Sequence, residues 1–323
     1  MENVDDAPAP TPSPPAAPAV SRRHVWIHLL LYPGHTLPTA AAPAVVAAGL
    51  AVHDGVFAPW PLLLAFVGSW LIHVAGVFAD NHELLRRHGD LPEHPELCAA
   101  VADGSLRLST LRLAIGACLL LAALCGVVPV QLGGWPALLL GVLGVAASLG
   151  YAAGPLPYAK RGLADPLFLL MFGVVAVAGC YGVQLAAARP DAFSWTALPP
   201  LAFVAGLPVG CIVVCVLIVD DIRDRGFDAQ KGWRTTAVRH GLRSSRALFA
   251  ALLVAAYLMP VVWWLAFARS PLVLLPWLTL PLALHVLRAV RRFDTTRDLL
   301  PMSPRTSLLS LLFAALLAVG LAA

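Results

Sequence analysis

An acidic cluster follows one of the long apolar segments of the chain, and its spacing suits metal binding. The cluster reads Val219-Asp220-Asp221-Ile222-Arg223-Asp224-Arg225-Gly226-Phe227-Asp228. Asp220, Asp224 and Asp228 are four residues apart, so a continuing helix would place all three on one face. Like charges at this spacing repel each other, and a Mg²⁺ ion, which takes carboxylate and phosphate oxygens, would relieve that repulsion. The alternative is a solvated helix end, because Arg223 and Arg225 separate the acids.

Basic residues follow the acidic cluster and complete a pattern typical of diphosphate binding. Lys231 and Arg234 lie directly downstream, and Lys160 and Arg161 lie in an earlier polar loop. Carboxylates would hold the metal while Lys and Arg neutralise the remaining diphosphate oxygens. We therefore expect these four basic residues to bind a diphosphate. The ordinary positive charge of cytoplasmic loops is the alternative explanation for them.

A second acidic region contains Asp80 and Glu83, three residues apart at the end of another apolar segment. Residues at this spacing are neighbours on a helix, so both can share one ion. We therefore predict Asp80 and Glu83 as metal ligands opposite the first cluster. Asp165 has a different expected role, because it precedes Pro166 and is predicted to cap the N-terminus of the next helix.

The elements that carry these residues must lie in lipid. Of the 323 residues, 59% are hydrophobic and only 12% are charged, whereas soluble domains carry about 25% charged residues. This composition argues against a soluble enzyme, a disulfide scaffold and a disordered protein. Segments of about 20 apolar residues predict membrane helices, and the chain is predicted to be all-α, polytopic, with about nine of them. They cover residues 36–53, 60–79, 108–130, 136–152, 164–185, 199–220, 247–267, 271–287 and 304–322.

The distribution of Lys and Arg predicts the orientation of these spans. If the spans alternate sides, only Arg189 and Arg269 of the 22 basic residues lie on one side, which leaves 20 on the other. The positive-inside rule then places the N-terminus and the acidic loops in the cytoplasm of a cell-membrane protein. Residues 1–22 are proline-rich and predict a disordered cytoplasmic tail, followed by one membrane domain over 23–323. We expect the lipid bilayer as a partner and no nucleic acid.

Several stretches of this sequence resemble the UbiA-type family of intramembrane prenyltransferases, and most closely its 1,4-dihydroxy-2-naphthoate polyprenyltransferase branch. The segment from Asp220 to Asp224, with Asp228 and the stretch 232–241, resembles the second aspartate motif of the family. Residues 151–163 resemble the tyrosine, glycine-proline and proline loop of the branch. One departure lies in the first motif, where Gly76 and Val77 occupy the positions of a polar pair when Asp80 is aligned.

The resemblance implies a fold, a cofactor and a reaction. The family has nine membrane helices around a central cavity, with aspartate motifs on the cytoplasmic side. Mg²⁺ held by both motifs would bind an isoprenoid diphosphate, whose allylic carbon–oxygen bond ionises before an aromatic acceptor attacks. In the naphthoate branch the prenyl group replaces a carboxyl group in menaquinone biosynthesis. On this basis we predict catalytic roles for Asp80, Asp221 and Asp224, with Asp221 orienting the acceptor or a ligand.

Two other functions are compatible with parts of the pattern. A membrane terpene cyclase would use the same diphosphate site, but the cation would be trapped by its own double bonds without an acceptor. An ion-coupled transporter would also contain intramembrane acids. The acids of this chain cluster at the ends of spans, however, whereas the coupling acids of a transporter are expected near the middle of the bilayer.

Overall fold

The computed structural model describes residues 22–88, 95–151, 157–266 and 270–323, and the side chains of a slightly smaller set within them. Within these ranges all regular secondary structure is helical, and there is no β-strand. This confirms the all-α prediction. The predicted disordered tail over 1–22 lies almost wholly outside the described residues, as does the segment 152–156 of the predicted glycine-proline loop.

Twelve α-helices and several short 3₁₀ turns make up the described chain. The α-helices are α1 (Arg22–His53), α2 (Pro59–His88), α3 (Pro95–Ala102), α4 (Leu108–Leu149), α5 (Ala164–Leu170), α6 (Ala176–Ala188), α7 (Pro200–Val204), α8 (Leu207–Arg223), α9 (Arg225–Gln230), α10 (Thr236–Ala266), α11 (Leu280–Arg292) and α12 (Met302–Ala322). A π-helical turn over Met171–Val175 joins α5 to α6.

In the described part of the chain, seven helical segments are long and apolar enough to cross a membrane, so the chain is a multi-pass membrane protein. They are Pro59–Arg87, Leu108–Leu149, Ala164–Ala188, Pro200–Arg223, Thr236–Ala266, Pro271–Arg292 and Thr296–Ala322, and Leu37–His53 is a shorter apolar helix. The 42 residues of α4 would extend about 63 Å as a straight helix, roughly twice the hydrocarbon thickness. Its backbone leaves the helical conformation at Gly134, where φ is 67° and ψ is −157°. The number nine stays a prediction.

Helix α8 forms the centre of the bundle. Fourteen of its 17 residues are buried, and it packs against α5, α10 and α12. A helix that is hydrophobic on all sides is enclosed by other helices rather than placed at an edge. This central position matters for the site, because the acidic cluster begins in the last turn of α8.

Close helix packing in the bundle depends on glycine at particular crossings. A Cβ atom added at Gly210 of α8 would lie 2.7 Å from the Cα of Gly173. A Cβ added at Gly49 of α1 would lie 2.6 Å from the Cα of Ala318 in α12 and would overlap its carbonyl oxygen. Small residues let helix backbones approach this closely in membrane proteins. Any larger side chain at these two positions must therefore separate the helices.

We predict that Gly49→Val destabilises the protein through the α1–α12 contact. Overpacking of this kind costs about 1–3 kcal/mol, which would appear as a lower midpoint of thermal unfolding in detergent. Gly116→Val is the matched control, because it also places a β-branched residue within a helix but its Cβ meets no atom within 4 Å. Equal unfolding midpoints for the two variants would contradict the packing explanation.

Candidate active site

A cavity of about 1070 Å³ lies among α2, α4, α5, α6 and α8, with polar side chains gathered toward one end. Most of its wall is apolar and contains many small residues from both parts of α4. Eight acidic or amide side chains among the described residues line it: Asp80, Asn81, Gln131, Asp165, Asp220, Asp221, Asp224 and Asp228. An apolar cavity with a few converging polar groups is the usual form of a small-molecule site.

The end of α8 and the start of α9 bring four of these acids into the cavity. Helix α8 stops at Arg223, yet the backbone N–H groups of Asp224 and Asp228 still donate to the carbonyl oxygens four residues earlier, at 2.8 and 2.9 Å. The chain therefore keeps its four-residue repeat through the junction. Asp221 and Asp228 are buried, with 8% and 4% of their surface exposed.

Arg223 forms ion pairs with two carboxylates of the cluster. Its guanidinium donates to Asp220 Oδ1 at 2.7 Å, and to the two carboxylate oxygens of Asp224 at 2.6 and 2.5 Å. The second oxygen of Asp220 accepts a hydrogen bond from Ser303 Oγ of α12 at 3.1 Å. Burial raises the pKa of the Asp224 carboxyl, while hydrogen bonds from Arg223 act against that rise. Sequence reasoning missed Arg223 and Ser303 as site residues.

Helix α2 contributes Asp80 from the opposite wall. Asp80 Oδ1 is buried and has no hydrogen-bond partner among the described residues, although the side chain lies in the electrostatic field of Asp224 and Lys160. A buried, unsatisfied carboxylate oxygen is costly unless a ligand or ion completes it. Glu83 does not line the cavity, because its carboxylate accepts hydrogen bonds from Arg86, at 3.1 and 3.2 Å, and from Arg87.

The four predicted diphosphate-binding residues are all described by the structure, and none of them lines the cavity. The ammonium group of Lys160 lies 4.9 Å from the centroid of the Trp233 ring, which itself lines the cavity. Burial, followed by the charge of Arg87, lowers the pKa of Lys160. Lys231 lies 5.5 Å above the Phe227 ring. The side chains of Arg161 and Arg234 are exposed.

Asp165 lines the cavity, and its prediction as the N-cap of a helix is wrong. The N-cap of α5 is Leu163, and Asp165 is already within the first turn. One carboxylate oxygen, Oδ2, accepts a hydrogen bond from Thr236 Oγ1 at 2.5 Å. The other, Oδ1, is buried without a hydrogen-bond partner in the described part of the chain. Thr236 is the first residue of α10, so the bond depends on tertiary contact.

An aromatic wall continues from Asp165 into the cavity. Ring centroids are 5.6 Å apart for Tyr151 and Tyr158, 5.7 Å for Tyr151 and Phe168, and 5.4 Å for Phe168 and Phe172. Burial, and then the charges of Asp80 and Asp221, hold the pKa of Tyr151 well above its ordinary value, so its hydroxyl stays protonated. Sequence reasoning noted the two tyrosines and Phe172 but missed Phe168, whose helical spacing from Asp165 could have indicated it.

The acidic side chains offer carboxylate oxygens that suit Mg²⁺, but the described residues do not form a complete metal-binding cluster. Carboxylates from α2 and from the α8–α9 junction face one cavity, and Asp80 offers an unpartnered oxygen. Hard oxygen ligands of this type are those that Mg²⁺ prefers. Among the described residues, however, no three His, Cys, Asp or Glu side chains are grouped closely enough to hold a metal. Oxygens of Asp220 and Asp224 are instead paired with Arg223.

Comparisons with known proteins agree with this geometry. The sequence model of the UbiA prenyltransferase family matches residues 40–305. Proteins named 1,4-dihydroxy-2-naphthoate octaprenyltransferase from Mycobacterium leprae and Mycobacterium tuberculosis are each 30% identical to this chain; the matches cover 86% and 89% of it, and 90% and 94% of the relatives. The Escherichia coli protein of that name is 27% identical, with 73% of this chain and 74% of the relative covered.

A solved structure supports the fold independently of close sequence similarity. It comes from work on digeranylgeranylglyceryl phosphate synthase in membranes, with a TM-score of 0.54 and 14% identity. The match covers 91% of this chain and 99% of the other. At this identity the likeness shows the fold alone. The sequence match over most of the chain shows more: this protein belongs to the UbiA prenyltransferase family and is a prenyltransferase.

Proposed function

We propose that the enzyme transfers a prenyl group from an isoprenoid diphosphate to an aromatic acceptor, and that this acceptor is 1,4-dihydroxy-2-naphthoate, as in menaquinone biosynthesis. One observation carries the proposal: carboxylates from α2 and from the α8–α9 junction meet in a cavity whose remaining wall is apolar and aromatic. The names of the curated relatives support the choice of acceptor.

The cavity matches an amphiphilic substrate in both of its parts. A prenyl chain needs an apolar path, which the small and aliphatic residues of α2, α4 and α6 provide. A diphosphate carries several negative charges, and the acids could accept it only together with cations. A soluble enzyme would have to enclose the whole prenyl chain in a protein core, whereas here the surrounding lipid is itself a compatible solvent.

We propose that Mg²⁺ is held by Asp80, Asp220, Asp224 and Asp228. When bound, it would stabilise the charge that develops on the leaving diphosphate. Glu83, the other predicted metal ligand, lies outside the cavity, where its buried carboxylate pairs with Arg86 and Arg87. Asp221 lies among the charges of Asp165, Asp220 and Asp228, so its role would be to orient a ligand at this end of the cavity.

The basic side chains supply the remaining countercharge to the diphosphate. Arg223 lines the site, and its guanidinium would donate to phosphate oxygens of a diphosphate bound there. Lys160, beside Trp233, and Lys231, beside Phe227, sit against rings that line the cavity. Their flexible side chains, with those of Arg161 and Arg234, are proposed to turn toward the diphosphate. Tyr151 and Phe168 would face the allylic cation, which aromatic rings stabilise electrostatically.

The metal ligands can be tested with isosteric amides. We expect Asp224→Asn and Asp228→Asn each to lower kcat for prenyl transfer by about 10²-fold or more, because each removes charge that holds the metal. Transfer is measured with a radiolabelled prenyl diphosphate and purified enzyme. Asp191→Asn is the control, since Asp191 is exposed and outside the cavity. Full activity in both site variants, with unchanged unfolding midpoints, would contradict the assignment.

Removal of the metal provides a second test of the same site. We expect EDTA to abolish prenyl transfer and added Mg²⁺ to restore it, while Ca²⁺, which is larger and prefers more ligands, restores less. Product masses identify the reaction: loss of the carboxyl group indicates transfer to the naphthoate. A cyclic hydrocarbon formed without acceptor would instead identify a terpene cyclase.

The orientation of the site is also part of the proposal, and we predict that it faces the cytoplasm. In a background without the six native cysteines, Asp191→Cys should react with a membrane-impermeant maleimide in intact cells. Thr296→Cys should react only after the cells are opened. Both positions are exposed, so they differ only in their predicted side of the membrane. The reverse labelling pattern would invert the topology.

A further inference from the structure

Asp165 lines the cavity, and only one of its two carboxylate oxygens has a hydrogen-bond partner among the described residues. The hydrogen bond from Thr236 holds Oδ2 at 2.5 Å, while Oδ1 is buried and lacks a hydrogen-bond partner within the described residues. Pro166 follows Asp165 in the first turn of α5 and restricts the backbone there. The carboxylate is therefore held in one direction, and a buried acceptor of this kind calls for a donor.

The surface next to Asp165 suits a flat ring. Asp165, Phe168 and Phe172 are separated by three and then four residues, so they share one face of the helical segment 164–175. All three line the cavity. The ring of Phe172 makes an edge contact with His73 of α2, with centroids 5.9 Å apart, which connects the wall to the helix that carries Asp80.

Together these features define the chemistry of a ligand. Aromatic rings prefer offset or edge contacts with other aromatic rings, so Phe168 and Phe172 favour a planar aromatic molecule. The oxygen of Asp165 requires a hydrogen-bond donor on that molecule. A hydroxylated aromatic ring supplies both, whereas a prenyl chain supplies neither and a diphosphate would be repelled by the carboxylate.

We propose that Asp165, Phe168 and Phe172 form the acceptor subsite, in which Asp165 Oδ1 accepts a hydrogen bond from a ring hydroxyl of the aromatic acceptor. This subsite rests on the proposed function and specifies where the aromatic acceptor binds. When the acceptor hydroxyl donates a hydrogen bond to a carboxylate, its oxygen becomes more electron-rich. This raises the electron density on the neighbouring ring carbon, which is the atom that must attack the prenyl cation. Asp165 thus both orients the ring and favours the attacking form.

The predicted contact can be tested from both partners. In Asp165→Asn the amide oxygen can still accept from Thr236, which leaves an N–H donor where Oδ1 stood. We expect kcat/KM for the dihydroxynaphthoate to fall at least tenfold, while KM for the isoprenoid diphosphate and the Mg²⁺ requirement change less than twofold. Asp191→Asn again serves as the control for a lost surface carboxylate.

The acceptor is changed in the second half of the test. We expect at least one of the two mono-O-methyl ethers of 1,4-dihydroxy-2-naphthoate to be used at least tenfold less well than the parent by the wild-type enzyme. In Asp165→Asn the same methylation should cost less than threefold. A purely structural role for Asp165 would lower activity with all acceptors and leave this ratio unchanged, which would overturn the proposal.

Two further outcomes separate this proposal from the function on which it rests. If Asp165→Asn raises the Mg²⁺ requirement as much as Asp224→Asn does, Asp165 belongs to the metal site and the subsite is wrong. If the variant fails to fold, the affinities of the wild-type protein for the naphthoate and for its ethers still test the proposal. Equal affinities would overturn the hydroxyl contact. If the protein binds the naphthoate much more tightly than its methyl ethers but transfers no prenyl group, the subsite is supported and the proposed reaction is refuted.

Discussion

The burial of carboxylates beside lipid is the constraint on which the rest of the structure depends. An ionised acid in a low-dielectric environment is costly unless a counterion or hydrogen bonds compensate for it. Arg223 provides much of that compensation, through contacts of 2.5–2.7 Å with Asp220 and Asp224. Ser303, from the last helix, satisfies the remaining oxygen of Asp220. The carboxylate of Asp220 thus joins the end of α8 to α12, the last helix.

The arginine that stabilises this acidic cluster also connects stability with function. Asp220 and Asp224, which pair with Arg223, are two of the four carboxylates proposed to hold Mg²⁺. Asp80 and Asp165 differ in this respect, because each leaves one buried oxygen unpartnered among the described residues. We infer that these two acids are the positions where ligands contribute most.

Much of the site was predictable because helical spacing is a local property. The intervals that group Asp220, Asp224 and Asp228 follow from the geometry of a helix, and all three line the cavity. Glu83 shows the limit of this reasoning: its distance from Asp80 allowed a shared ion, but Arg86 and Arg87 lie nearer to its carboxylate. The capping role predicted for Asp165 failed for a related reason, since the helix starts two residues earlier than that role requires.

The sequence by itself determined the solvent of the protein, its helical class and the acids that could do chemistry. These depend on composition and on spacing along one helix, which neighbours in space do not alter. Only the tertiary structure decided which oxygens are already taken and which remain open. Thr236 reaches Asp165, Ser303 reaches Asp220, and Phe172 meets His73 across helices far apart in the chain. Such contacts depend on how helices pack, and no spacing within a single helix specifies them.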